Sequence, residues 1–142
     1  MKNKVFFANM RTSSKNNLFS KLALLLEGVG IKKQIKKNSL IAIKIHFGER
    51  GNTAFISPVF IRKIVDKVIL YNGKPFITDT NSLYLGDRNE AVSHLTLATL
   101  HGFNYPVVNA PLVIADGIRG NSAVKVKIDK SHFKEVFIGS EL

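Results

Sequence analysis

The residues of this chain best suited to chemistry lie in a pattern that occurs twice, as Gly48-Glu49-Arg50-Gly51-Asn52-Thr53-Ala54 and as Gly117-Ile118-Arg119-Gly120-Asn121-Ser122-Ala123. Each copy brings a guanidinium, flexible backbone amides, a carboxamide and a hydroxyl into one short stretch. Arginine offers a planar fork for carboxylate or phosphate, and glycine lets the backbone turn its N–H groups toward an anion. The same residue types also build tight turns, so a turn-only reading stands beside the ligand reading. The first copy precedes a helix-like segment and the second an alternating strand. Similar loop chemistry therefore explains the pair better than a duplicated unit does.

Other polar residues gather where strand-like runs end. They are Asn9, Arg11, Thr12 and Ser13, then His46, Gly48, Glu49 and Arg50, then Asp79, Thr80, Asn81 and Ser82, and finally Asp116, Gly117 and Arg119. In open α/β sheets ligands bind outside the carboxyl ends of the strands, where loops diverge and helix N-termini point inward. We therefore expect Lys44, His46, Glu49, Arg50, Asp79, Asn81, Asp116 and Arg119 to line a common cleft for a small molecule or anion. Alternation along the strand sets Lys44 and His46 on one side and Ile43, Ile45 and Phe47 on the other. Burial of Lys44 would suit it as base, amine nucleophile or anion anchor, whereas extension into solvent would leave it a surface charge. His46 and Glu49 with Asp79 or Asp116 could make a mixed metal site, but two ligands three apart carry little weight and no metal is assigned. His94, His101 and His132 read as packing or surface residues. No phosphate-binding loop ending in Lys-Ser or Lys-Thr, no three-glycine dinucleotide fingerprint and no nucleophile elbow occurs.

The elements that must hold these groups alternate. Val5 to Ala8 is read as a first strand, and Ser13 or Ser14 as the cap of a helix to about Glu27, with Leu18, Leu22, Leu25 and Leu26 at helical spacing. Leu40 to Ile45 is a second strand. Pro58 opens a helix with Ile61, Ile64, Val65 and Val68 as its apolar stripe and Asn72-Gly73 as its stop. Pro75 to Thr78 is the third strand, and Asn89 caps a helix through about Leu100 closed by Gly102. Val107 to Ala115, Ala123 to Ile128 and Phe133 to Ile138 are strand-like, the last two joined by a turn at Asp129-Lys130-Ser131. The expected fold is α/β, a three-layer and mainly parallel sheet with helices on both faces and a C-terminal antiparallel hairpin.

Length and composition set the frame. The chain has 142 residues and 45% hydrophobic content, enough for one domain with one core over residues 1–142. The chain stops directly after its last strand, and we expect a continuation in a longer protein or a partner over the last face. No cysteine is present, which removes disulfides and cysteinyl zinc or iron–sulfur ligation within these residues. The early apolar run is too short for a secretory core, no run approaches a membrane span, and the expected location is the cytoplasm. The net charge is +11, with 21 Lys and Arg against 10 Asp and Glu, which favours anionic partners. Lys32, Lys33, Lys36 and Lys37 form the densest basic cluster, and Lys125 and Lys127 alternate with Val126 and Ile128 as the outer side of a strand.

Three stretches carry a resemblance to a known family: Leu40 to Pro58, Pro75 to Tyr84 and Ile114 to Asn121, the run from Lys44 to Asn52 being the most specific. The chain resembles the domain of unknown function 362, an iron–sulfur-centre-associated family of bacteria and archaea, from about Lys4 to its end. The resemblance implies a cytoplasmic α/β domain that is often followed by a ferredoxin-like module with four-iron–four-sulfur cysteine motifs. It supplies no established reaction or substrate. Since this chain has no cysteine, such a cluster is expected only in a C-terminal module beyond these residues, and no cofactor within them. The leading functional expectation is a domain that binds a small molecule or anion, the part of a redox protein that lacks the cluster, with a redox partner or a second copy as companion. Nucleic-acid binding through the basic surface ranks behind it, as does an interaction subunit that docks through its C-terminal strand.

Overall fold

Leu40, Ile41, Ala42 and Ile43 have the branched and aliphatic side chains that suit an extended, pleated segment, and they form β1 (Leu40–Lys44) in a computed structural model that describes residues 4–142. With β2 (Lys74–Asp79) and β3 (Leu112–Ile114) it makes a parallel sheet in the order β1-β2-β3. The register sets Ile43 opposite Ile77 and Ile77 opposite Leu112. Ile43, Ile45, Ile77, Leu112 and Ile114 therefore share one face and build the core.

Against that face pack α3 (Pro58–Leu70), α4 (Ala91–Leu100) and α5 (Tyr105–Val108), through Ile61 and Val65, Ala91 and Ala98, and Val108. Pro58 opens α3 at a position where a missing N–H costs nothing, and Asn72 with φ 62° ends the turn that follows it. Phe47, Phe103, Ile77 and Leu97 are fully enclosed, each contributing about 1.5–3 kcal/mol by leaving water. The Phe47 ring lies 5.2 Å from Phe103 and 5.5 Å from His94.

The α/β class, the parallel sheet and the C-terminal antiparallel hairpin are all present. The layering is narrower than a sheet covered by helices on both sides. Two right-handed crossovers that advance in the same direction place their helices on one face, and only a reversal of strand order would send one to the other. On the opposite face Leu40 is 75% exposed, with Ala42 and Lys44 exposed beside it. The helix α1 (Leu18–Gly28) joins through contacts with α3, while α2 (Ile31–Gln34) takes in Lys32 and Lys33 but ends before Lys36 and Lys37. Among the described residues no helix is long and apolar enough to cross a membrane.

Several local expectations are corrected. Val5 to Ala8 is not a strand; it has no ladder partner, and Val5 and Phe7 stand in solvent. Asn17 caps α1, its Oδ1 accepting from the Ser20 amide at 3.0 Å, because Ser13 is engaged in a turn with Asn16. Glu90 caps α4 in place of Asn89, accepting from the amides of Val92 and Ser93 at 2.7 Å each. The run from Val107 is split: Asn104 caps the short α5, Asn109 at φ 58° ends it, and only Leu112–Ile114 joins the sheet. At the C-terminus β4 (Ala123–Lys127) pairs with β5 (Glu135–Gly139), Lys127 standing opposite Glu135. This hairpin meets the end of β3 closely, the Glu141 amide donating to the Ala115 carbonyl at 3.1 Å.

Candidate functional site

Asp79 ends β2 with only 4% of its surface exposed. A lone carboxylate there would be costly, and it is matched from several directions. Lys44 Nζ, from the end of β1, stands 3.1 Å from Oδ1, and Arg88 Nη1 stands 3.4 Å from Oδ2. The Thr80 amide donates to Oδ1 at 2.9 Å, and His94 Nε2 from α4 lies 3.7 Å from Oδ2. Arg88 then reaches a second carboxylate: its Nε donates to Glu49 Oε1 at 2.8 Å. Tyr84 adds its hydroxyl to the same oxygen at 2.6 Å, and Arg88 Nη2 touches both partners. The Glu49 carboxyl is held below the ordinary range, first by hydrogen bonding from Arg88 and then by Tyr84. Burial is the largest influence on Arg88 and works against its charge, but the hydrogen bonds and charges of Glu49 and Tyr84 together outweigh it and keep the guanidinium more firmly protonated.

The first glycine-rich loop sets the front of this cluster. Gly48 has φ 93°, and its amide donates to His46 Nδ1 at 2.8 Å. The ring proton of His46 therefore sits on Nε2, which lies 3.8 Å from Glu49 Oε1. Half of the His46 side chain and 62% of Lys44 reach solvent. Beside them a recess of about 200 Å³ is lined by Ile45, His46, Ala54, Phe55 and Ile56. Its Phe55 wall is stacked on His101, whose Nδ1–H donates to the Phe47 carbonyl at 2.8 Å.

The second loop shares the positive φ of its two glycines with the first: Gly117 and Gly120 have φ 77° and 69°, as Gly48 and Gly51 have 93° and 77°. Asp116, at the foot of this loop, accepts from the Asn81 amide at 3.0 Å and from Asn81 Nδ2 at 3.1 Å. The Ser122 amide returns to the Asp116 carbonyl, and the Ala91 amide at the start of α4 donates to the Ile118 carbonyl, each at 2.9 Å.

Lys44, His46, Glu49 and Asp79 thus come together, and Asn81 joins Asp116 in an adjacent pair. Arg50 instead spends its guanidinium on Asp87, and Arg119 is exposed with no ion pair among the described residues. Four neighbours escaped the sequence reading. Arg88, Tyr84 and Asp87 belong to the loop that leaves β2, and following the strand-end rule past Ser82 would have reached them. His94 reads as a packing residue and is one, wholly enclosed, but it also faces Asp79. Burial lowers its pKa, with Asp79 opposing the shift, and among the described residues neither ring nitrogen has a hydrogen-bond partner.

Among the described residues no group of three or more metal-binding side chains converges. The chain holds no thiolate donor, so its residues do not fit an iron–sulfur cluster. The cluster can instead neutralise and orient: a buried framework of matched charges carries an exposed ammonium and an exposed imidazole at the sheet edge. Residues 41–142 match the family described as Domain of unknown function (DUF362), and the chain belongs to it. No curated protein and no solved structure matches the chain.

Proposed function

We propose that this domain binds a small anionic molecule at the carboxyl edge of its parallel sheet, with Lys44 and His46 as the groups that meet it. One observation carries the reading: Lys44 is anchored at 3.1 Å by the buried Asp79 yet leaves 62% of its side chain in solvent. An ammonium held on one side by a buried carboxylate and open to solvent on the other can accept a carboxylate or phosphate with little further loss of rotamer freedom. Asp79 in turn is held by Arg88, so a ligand's negative charge would meet a surface whose own carboxylates are already compensated. The positive-φ glycines of both Gly-Xaa-Arg-Gly segments support the reading, because they let the backbone come close to a ligand. The family resemblance implies that such a domain is often followed by a ferredoxin-like module with iron–sulfur cysteine motifs. That supports a cytoplasmic ligand-binding half of a redox protein, with any cluster in another module and a redox partner or second copy alongside.

A thermal-shift series with inorganic phosphate, phosphorylated sugars and dicarboxylates tests the proposal. At least one anion should raise the melting temperature in a saturable way, and Lys44→Met should remove that rise. A rise of the same size in Lys44→Met, or none with any of these anions, would refute it.

A further inference from the structure

At the opposite end of the sheet, where the strands begin, the molecule has a second surface of different character. Between Glu27 and Leu40 the chain carries Lys32, Lys33, Lys36 and Lys37 with no acidic residue, and Lys74 starts the next strand opposite Leu40. The connections there are short and fixed: the Asn38 amide donates to the Asn72 carbonyl at 2.7 Å and the Lys74 amide to the Ser39 carbonyl at 2.8 Å. They hold α2 and the end of α3 side by side around a recess of about 580 Å³, whose lining includes Lys32, Ile35, Lys37, Leu70 and Tyr71. Leu70 is 66% exposed at its edge, and Ile69 beside it is 44% exposed. The acidic side chains near its edge are already engaged, Glu27 by Lys67 at 2.8 Å and Asp66 by Arg62 at 2.7 Å. Hydrogen bonding to Glu27 raises the pKa of that lysine.

We infer that this recess is a docking site for an acidic segment of a partner protein, one that places an aliphatic side chain on Ile35 and Leu70 and its carboxylates on the lysine rim. An apolar floor within a charged rim is the anatomy of a protein interface, and rim charges steer an oppositely charged partner toward it. Nucleic acid fits less well. The ammonium groups of Lys32 and Lys67 each lie 5.8 Å from the centre of the Tyr71 ring, so that ring is taken up by cations and does not offer a face for a base. The rim holds lysine alone and lacks the arginine fork that reads base edges.

Fluorescence anisotropy with a labelled short peptide of alternating glutamate and leucine, titrated into the full chain at low salt, tests the inference. Saturable binding is expected. The charge-neutral change Leu70→Ser should weaken it by about tenfold, and Lys32→Glu with Lys37→Glu should abolish it. Lys125→Glu with Lys127→Glu, which alters net charge equally on the distant hairpin, should leave it within about twofold. All these positions are exposed, and matching far-UV spectra would show the variants folded. Equal losses from the two double reversals, or an unchanged affinity in Leu70→Ser, would overturn the inference. So would tighter binding of a single-stranded oligonucleotide that depends on Lys32 and Lys37, which would assign the recess to nucleic acid.

Discussion

Arg88 and Asp79 meet at 3.4 Å with 7% and 4% of their side chains exposed, and the same guanidinium bonds Glu49 through Nε at 2.8 Å. One side chain from the loop after β2 thereby ties the end of that strand to the loop after β1. The sheet edge is fixed by a charge relation between loops as well as by the backbone ladder.

Replacing Arg88 with Met should therefore do more than remove one contact. Beside the Thr80 amide and the His94 ring, Asp79 would keep only the cation of Lys44, most of which is in water, and Glu49 would lose its strongest partner. Breaking a buried pair from one side costs about 3–5 kcal/mol, and a loss of that order is expected on urea denaturation. Arg88→Lys should recover little of it, because an ammonium cannot hold two carboxylates in a fork. Adding Asp79→Asn to Arg88→Met should restore part, and a double variant no more stable than the single one would contradict this account.

The two glycines of the first loop separate backbone strain from crowding. Both have positive φ, but an added Cβ on Gly51 would meet nothing within 4 Å, whereas on Gly48 it would fall 2.6 Å from the Phe55 ring and 2.8 Å from His101 Nδ1. Gly51→Ala should cost only the left-handed penalty, about 1–2 kcal/mol. Gly48→Ala should add about 1–3 kcal/mol of overpacking and loosen the Phe55–His101 stack. Denaturation midpoints of the two variants check the difference, and equal midpoints would remove the crowding term.

What could be read from the residues, and what could not, follows from the range of the interactions. The stripe Ile61, Val65 and Val68 and the stop at Asn72 are local periodicity and turn chemistry, so α3 was legible almost to the residue. Lys44, Glu49 and Asp79 were legible as neighbours because strand ends in a parallel sheet converge. The partner of Arg50 was not, since Asp87 is 37 positions away and nothing local selects it over a ligand. Arg88 lies further along the loop after β2, beyond Ser82, where the strand-end reading stopped. Val5 to Ala8 has the composition of a strand but pairs with no other strand, and pairing is a property of the assembled sheet that composition does not fix. Glu90 displaced Asn89 as a cap because both of its carboxylate oxygens reach amides of the first turn.

The C-terminal hairpin makes its own prediction. An isolated two-stranded hairpin is marginal in water, so this one depends on its seat beside β3. A Cβ on Gly139 would come within 2.5 Å of the Ala115 carbonyl oxygen, a backbone atom that cannot rotate away. Gly139→Ala should therefore push the hairpin off its seat while leaving the core intact. In hydrogen exchange, amides of residues 123–139 should lose protection in the variant and those of β1 and β2 should keep theirs. Protection lost evenly throughout would show that hairpin and sheet unfold as one unit.

Acid should expose the buried His94. Burial lowers its pKa below the ordinary value of about 6.5, so the unfolded chain takes up this proton before the folded one does. Stability from this group is thus complete above about pH 6.5 and falls as pH drops below it, with a slope of at most about 1.4 kcal/mol per pH unit. Glu49 acts in a lower window: its depressed pKa gives stability that is present above about pH 4.3 and is lost as pH falls through the folded value. His94→Leu removes the titrating ring and its unpartnered nitrogens while keeping an apolar neighbour for Phe47. Urea denaturation of both proteins between about pH 7.5 and 5 should therefore show stability falling more steeply in the parent than in the variant. Identical slopes would mean that His94 gains its proton as readily in the folded chain as in the unfolded one.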